Sequence, residues 1–415
     1  MLTSALTTLA NNTPAHLNVV PYPSDVFLGE GFSVLSTKFS IQIEGCSADC
    51  SILHRAADRY TDIIFKNPGS TGIVFRQNIF EDRVNETEPI GTPGQLTALK
   101  IMTTSKESVD LQLGVDESYV IQVPSGKGDD QVVILTAPTV WGALRGLETF
   151  AQLVHYNPSP HNIIHKKRNS YDGFAINWTP MTIQDAPRYP WRGLLVDSAR
   201  HYLSIPLLKR IVDTMAAIKL NVMHWHIVDA ESFPFVSSKY SDLQYTSTYH
   251  PSAAYSKDAI KALVAYARDR GVRILPEFDT PGHTAAVGQT YPGLIADCYD
   301  WLVTHYGDDL RWPMFNDVAL DVTKEETKHF AQSIIQEMSE IFPDKYFHIG
   351  GDEVNQGCWN AVPSILTWMQ ENGYAEYDSS SQNWSYNFTA LQGSWTSFIQ
   401  VITHMMHPIM ISSCL

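Results

Sequence analysis

The chain has 415 residues, with 44 acidic side chains against 29 lysines and arginines and a formal net charge of −15 at pH 7. That balance, with no basic run long enough to grip phosphates, excludes nucleic acid as an expected partner. Hydrophobic residues make up 44 %, but charges interrupt them before any stretch reaches the roughly 18 apolar residues of a membrane span, and the length suits two domains, one of them large.

Five cysteines, Cys46, Cys50, Cys298, Cys358 and Cys414, are too few for a disulfide scaffold and lack CxxC spacing, so no structural zinc site is expected and one or two disulfides remain open. Asn-x-Ser/Thr triplets at Asn11, Asn85, Asn177, Asn383 and Asn387 suit a secretory-route glycoprotein. The opening MLTSALTTLANNTPAHL lacks a basic n-region and a continuous apolar h-region, so no signal peptide is expected.

In chain order, residues 16–178 mix strand-like runs such as Gln131–Ala137 with helical stretches at Ser51–Phe65 and Thr139–Val154, which predicts a small α/β domain. A Pro-, Asn- and Ser-rich segment, Asn157–Pro190, reads as the boundary. From about residue 190 to 374 the pattern becomes a βα repeat. Arg192–Arg200 is the first strand, followed by a helix capped by Ser204 with apolar positions Leu207, Leu208, Ile211, Val212, Met215 and Ile218. Leu220–Asp229 is the second strand, and its helix, Ser256–Arg270, ends at Gly271, where a C-cap glycine belongs. The third strand is Val272–Asp279. Thr323 and Glu326 then suggest a capping box ahead of Phe330, Ile334, Ile335, Met338 and Ile341, and this helix leads into KYFHIGGDEV. Four βα units with parallel strands, and no glycine-rich phosphate loop after the first, predict a (β/α)8-type barrel rather than a doubly wound sheet.

Each strand ends in polar residues: Arg200, Asp229, Asp279 and the pair Asp352–Glu353. A barrel gathers such strand ends on one rim. Adjacent carboxylates at a strand end point in different directions and so address two parts of one ligand, while Gly350 and Gly351 allow close approach. His224 and His226 form an HxH pair of the kind that binds a divalent metal at a barrel mouth, but no further ligands are evident on later strands and His348 sits within its strand. No metal and no cofactor are expected.

The motifs HIGGDEV, RGLLVDSARHY, NVMHWHIVDAESFPF, GVRILPEFDTPGH and VWGALRGLETFAQLV together resemble the β-N-acetylhexosaminidases of glycoside hydrolase family 20, the lysosomal type in particular, from about Asn18 to Tyr374. The resemblance implies a substrate-assisted retaining mechanism on a terminal β-linked GlcNAc or GalNAc of a glycan, in which the acetamido oxygen of the sugar attacks C1. Glu353 matches the proton donor and Asp352 the residue that orients the acetamido group. Arg200 matches a ring-hydroxyl binder, Asp229 and His283 match a pair that supports the acid, and Asp279 is open to a structural role. A raised pKa through burial is expected for Glu353. Cys298 and Cys358 match paired positions and are expected to form a disulfide. A lysosomal or secreted location follows from the resemblance, which leaves a homodimer open.

The resemblance also implies four further βα units. Residues 375–415 match none of the motifs and are expected to be a divergent tail of unknown structure. The expectation is therefore an incomplete barrel, with two readings of the product: an exo-β-N-acetylhexosaminidase, or a catalytically inactive truncated or alternatively spliced fragment of one.

Overall fold

A computed structural model describes residues 17–46, 48–66, 93–106, 109–129, 131–157, 173–307 and 317–406. The chain divides into two compact units, one running to Arg192 and including Asp213–Leu220 and Asp269–Gly271, the other comprising Gly193–Val212, Asn221–Arg268 and the chain from Val272 onward.

The first unit is a mixed six-stranded sheet built from β1 (Asp25–Ile43), β2 (Gly94–Thr103), β3 (Tyr119–Val123), β4 (Val132–Ala137), β5 (His155–Asn157) and β6 (Gly173–Asp185), with helices α1 (Cys50–Thr61) and α2 (Val140–Leu153). Its order is β1-β2-β4-β3-β6-β5, and β1 also pairs with β6. Alternate residues of β4 are buried, as expected of a sheet with one face packed. The core joins Leu96, Ile121, Val133 and Leu135 of the sheet to Ile52, Leu53, Trp141 and Phe150 of the helices. Thr139 caps α2 through a hydrogen bond accepted from the Gly142 N–H at 3.1 Å. The sequons at Asn11 and Asn85 and the thiol of Cys414 lie outside the described residues.

The second unit opens with three parallel strands, β7 (Gly193–Asp197), β8 (Val222–His226) and β9 (Arg273–Glu277), in the order β7-β8-β9. Their register aligns Asp197 with His226 and His226 with Glu277. Because side chains alternate across a strand, His224 and His226 share one face of β8, while Met223 and Trp225, both fully buried, occupy the other. All of β9 is buried, the usual state of a parallel strand. On β7, Leu194 and Leu195 are exposed.

Between and after these strands come α3 (Ile205–Ala217), α4 (Leu243–Thr246), α5 (Lys257–Arg268), α6 (Ala285–Thr290), α7 (Tyr299–Tyr306), α8 (Glu325–Ser339), α9 (Gln356–Asn360) and α10 (Pro363–Glu371). Gly271 has φ +68 after α5, as a C-cap glycine should. The capping box before α8 does not form. The helix starts one residue too late for it: Lys324 is the N-cap residue, without a side-chain bond, and the Thr323 hydroxyl donates to Asp321 Oδ1 outside the helix. The expected fourth strand is reduced to a parallel bridge between Glu277 and His348. His348 donates its N–H to the Pro276 carbonyl and accepts that of Phe278, both at 3.0 Å. Two residues later, the positive φ of Gly350 and Gly351 takes the chain out of the extended conformation.

The described residues beyond Tyr374, 375–406, form regular elements. They make a hairpin, β10 (Ala375–Asp378) with β11 (Asn383–Tyr386), and then a long helix, α11 (Phe388–Met406). Leu391, Trp395, Ile399 and Ile402 of α11 are buried at helical spacing. The sequence suggested no structure here because the hairpin is polar and exposed on both faces, leaving no period-two signal. No helix among the described residues is long and apolar enough to cross a membrane.

Cys298 and Cys358 form a disulfide with Cα atoms 5.1 Å apart, across a separation of 60 residues, and Cys46 pairs with Cys50. Closing a loop of that length restricts the unfolded chain by roughly 4 kcal/mol. The double variant Cys298→Ser/Cys358→Ser should melt several degrees lower in a thermal scan, whereas Cys46→Ser/Cys50→Ser, which opens a four-residue separation, should cost much less. Equal losses would show that loop length does not govern the effect.

Candidate active site

The site grows from the C-terminal ends of the parallel strands in the second unit. Just past β8, Asp229 is buried and accepts from three directions. His226 Nε2 is 2.7 Å from its Oδ2, the Arg200 guanidinium is 2.8 Å from the same oxygen, and the Ala230 N–H donates to Oδ1. His283 Nδ1 lies 3.4 Å from Oδ1. Burial alone would push the Asp229 carboxyl up, but His226, His283 and the Ala230 N–H hold it well below the ordinary carboxylate range.

His283 stands between this anion and the adjacent pair. Its Nε2 is 3.5 Å from Glu353 Oε2, 4.0 Å from Asp352 Oδ2 and 3.9 Å from Asp279 Oδ2. Both ring nitrogens are buried and neither makes a hydrogen bond, so the ring sits among carboxylates without being locked to one of them. Burial works against the imidazolium, but Asp229, Asp279 and Asp352 override it and raise the pKa to about 9.

Asp279 organises the loop that carries the pair. Its Oδ1 accepts the Gly351 N–H at 2.9 Å, and a Cβ on Gly350 would fall 1.8 Å from the same oxygen, so only glycine fits at position 350. Burial, with Glu277 and Asp352 acting against the opposing pull of His283, raises the Asp279 pKa to about 7. Gly351 is held from its other side as well: Gln392 of α11 donates to its carbonyl at 2.9 Å. Trp395, one turn further along, donates Nε1–H to the Thr280 hydroxyl at 3.2 Å.

Asp352 and Glu353 emerge from this loop with side chains 57 % and 66 % exposed. The burial expected for Glu353 is therefore not found, since no described element covers the carboxyl. Arg200 is not free for a diol either, because it contacts Asp197 at 3.0 Å, Asp229 at 2.8 Å and Glu231 at 3.7 Å. Its side chain remains 32 % exposed.

A second cluster adjoins the first. Glu277 Oε2 receives His224 Nε2 at 2.6 Å and His226 Nδ1 at 2.9 Å, and Oε1 lies 3.0 Å from His348 Nδ1. Burial opposes the Glu277 charge, but the three imidazoles hold its carboxyl far below the ordinary range. His226, clamped between Glu277 and Asp229, is raised to about 10 despite its burial.

All the strand-end residues singled out from the sequence, Arg200, Asp229, Asp279, His283, Asp352 and Glu353, thus belong to one neighbourhood. Sequence reasoning missed Glu277, Glu231, Gln392 and Trp395. Glu277 was findable, because it precedes Asp279 by two residues within the run read as the third strand, a spacing that puts both on one face. Glu231, whose buried oxygens make no hydrogen bond and which burial and Asp229 push to about 7, carried no such signal.

A family model described as "Glycosyl hydrolase family 20, catalytic domain" matches residues 189–404, and one described as "beta-acetyl hexosaminidase like" matches residues 19–153. The chain belongs to glycosyl hydrolase family 20. The match extends into α11 as far as residue 404, so Gln392 and Trp395, which fasten the Gly351 loop, lie within the matched catalytic domain. Among curated relatives, the chain is 38 % identical to beta-hexosaminidase subunit A1 of Dictyostelium discoideum over 363 residues, 88 % of this chain and 59 % of that one. It is 35 % identical to beta-hexosaminidase 1 of Arabidopsis thaliana over 376 residues, 89 % of this chain and 62 % of the other. The chain spans about three fifths of the length of these relatives. Among solved structures, it superposes on the chitobiase of Flavobacterium johnsoniae with a TM-score of 0.67 at 25 % identity, covering 95 % of this chain and 52 % of that one. A similar fold is found in the exo-β-N-acetylglucosaminidase of Vibrio harveyi, with a TM-score of 0.66 at 19 % identity over 96 % of this chain and 55 % of the other. These structures agree on a small N-terminal domain followed by a barrel-type catalytic domain, of which the described residues supply three paired strands and a bridged fourth.

The buried carboxyls set a pH dependence of stability. Asp279 and Glu231, each at about 7 in the folded protein, titrate near 4 in an unfolded chain. The folded state therefore binds more protons between those values and loses stability as pH rises from about 4 to 7. The melting temperature should fall over that interval, and Asp279→Asn should flatten the fall. An unchanged slope in this variant would show that Asp279 is ionised throughout.

Proposed function

We propose that the protein is an exo-β-N-acetylhexosaminidase that removes terminal non-reducing β-linked GlcNAc or GalNAc from glycans by substrate-assisted retention, with no cofactor. The observation that carries this reading is the contact of His283 with Glu353 on one side and Asp229 on the other, 3.5 and 3.4 Å, beside Asp352, whose Oδ2 lies 4.0 Å from the same His283 nitrogen.

In the first step the acetamido oxygen of the bound sugar attacks C1, the C1–O bond to the leaving group breaks, and Glu353 delivers its proton to the departing oxygen. Asp352 accepts the acetamido N–H and so stabilises the positive charge that develops on the oxazoline. In the second step water attacks C1, Glu353 takes the water proton, and the ring opens to the product with retained configuration. His283, paired with Asp229, offsets the charge on Glu353 once that proton has left. Arg200 would exchange part of its carboxylate contacts for ring hydroxyls. Asp279 and Gln392 act on the backbone around Gly351 and so determine where the pair points. An acidic compartment, lysosomal or extracellular, suits a donor that must carry a proton and a fold that loses stability toward neutral pH.

The exposure of Asp352 and Glu353 favours a second reading for the chain taken alone, in which the sugar is not enclosed and turnover is absent. The test is an assay with aryl N-acetyl-β-glucosaminides on the 415-residue chain and on a fusion adding the part of the Dictyostelium subunit that lies outside the matched region. The fusion should turn over, since misplacing reacting groups by about 1 Å already costs on the order of a hundredfold. In the fusion, Glu353→Gln should impair poor leaving groups most, while Asp352→Asn should slow all substrates. A fusion that turns over equally well with either substitution would remove both residues from the mechanism.

A further inference from the structure

We propose that His224, Glu277 and His348 form a zinc-binding site on the face of the parallel strands, separate from the Asp352–Glu353 pair. The HxH motif was set aside on sequence grounds because companion ligands were not visible. The tertiary structure supplies them: Glu277 from β9 and His348 from the bridged fourth strand, with one donor atom of each residue within 4.8 Å of the others.

Two imidazole nitrogens and one carboxylate are a recognised zinc ligand set that leaves a further position for water. Zinc holds such donors at about 2.0–2.1 Å, which places neighbouring tetrahedral ligands roughly 3.3 Å apart. Glu277 Oε2 is now 2.6 Å from His224 Nε2 and its Oε1 is 3.0 Å from His348 Nδ1, so each imidazole needs to open from its own carboxylate oxygen by only roughly 0.3 to 0.7 Å for the ion to enter between them. The cost in protons is small. A neutral His224 that now points Nε2–H at Glu277 can move its proton to Nδ1, freeing a lone pair without becoming charged, and on His348 the metal would take the Nδ1 lone pair that now accepts the Gly350 N–H at 3.2 Å. His226 donates to Glu277 Oε2 from the neighbouring row and is itself anchored on Asp229, an outer hydrogen bond of the kind that orients a ligating carboxylate.

The side chains of His224 and His348 are 16 % and 12 % exposed, against 5 % for Glu277. An ion can therefore reach the imidazoles, while the carboxylate that anchors it stays shielded. The other groupings of potential ligands among the described residues all include His226 or His283, which are already committed to the Asp229 network.

The experiment uses the full chain, stripped with a chelator and titrated with zinc chloride against a chromophoric zinc indicator, with cobalt(II) as a spectroscopic substitute. One zinc per chain should bind with micromolar affinity or better, and cobalt should give the visible absorption of a low-coordinate site. His224→Gln and His348→Gln, whose amides can still hydrogen bond to Glu277, should each weaken binding at least about tenfold. His250→Ala, at an exposed loop histidine, should leave it unchanged. Melting curves with and without zinc identify any variant that fails to fold, and the cobalt spectrum of the native chain tests the site without a substitution. Absence of stoichiometric uptake, or uptake unaffected by both glutamine variants, means an adventitious ion only and overturns the proposal.

Discussion

The buried carboxylate of Asp229 is the interaction on which the second unit's polar interior depends. An isolated charge in such a place costs several kcal/mol, and here it is met by Arg200, His226, His283 and a backbone N–H. Each partner passes the constraint on. His226 ties Asp229 to Glu277 and thereby β8 to β9, while Arg200 ties it to the end of β7 through Asp197. His283 ties it to the loop after the bridged strand. Removing the anion would take from His283 its nearest carboxylate, while Arg200 would keep Asp197 and His226 would keep Glu277.

The backbone around this network is held in conformations that ordinary residues avoid. His283 and Glu353 have φ of 55 and 51, in the left-handed region where a non-glycine residue costs of order 1–3 kcal/mol. Such strain persists only where surrounding contacts impose it. For Glu353 those contacts are the Asp279 bond to the Gly351 N–H and the Gln392 bond to its carbonyl, one on each side of the same residue. The rigidity supplied to the loop contrasts with the exposure of the two carboxylates it presents. The loop fixes their direction, and both carboxylates face solvent.

Much of this arrangement was readable from one-dimensional patterns. The apolar spacing of Phe330, Ile334, Ile335 and Met338 marked α8, and the polar residues after each apolar run marked the rim. The alternation of His224 and His226 marked a shared strand face. The capping box at Thr323 failed because the helix begins one residue later, with Lys324 at the N-cap, a boundary that the motif alone does not set. The fold of residues 375–406 was hidden for a different reason. An exposed polar hairpin has no periodicity, and the apolar stripe of α11 acquires meaning only once there is a buried surface beneath it.

By itself, the sequence determined the class of fold and picked out the polar residues that follow each apolar run, because side-chain period and glycine placement are local properties of the chain. Only the tertiary structure decided that Glu277 and His348 meet His224, that Gln392 reaches the Gly351 carbonyl across 41 residues, and that Glu353 faces solvent rather than a pocket wall. Those outcomes depend on strand register and on which surfaces find a neighbour. Neither quantity is stored in any short stretch of residues.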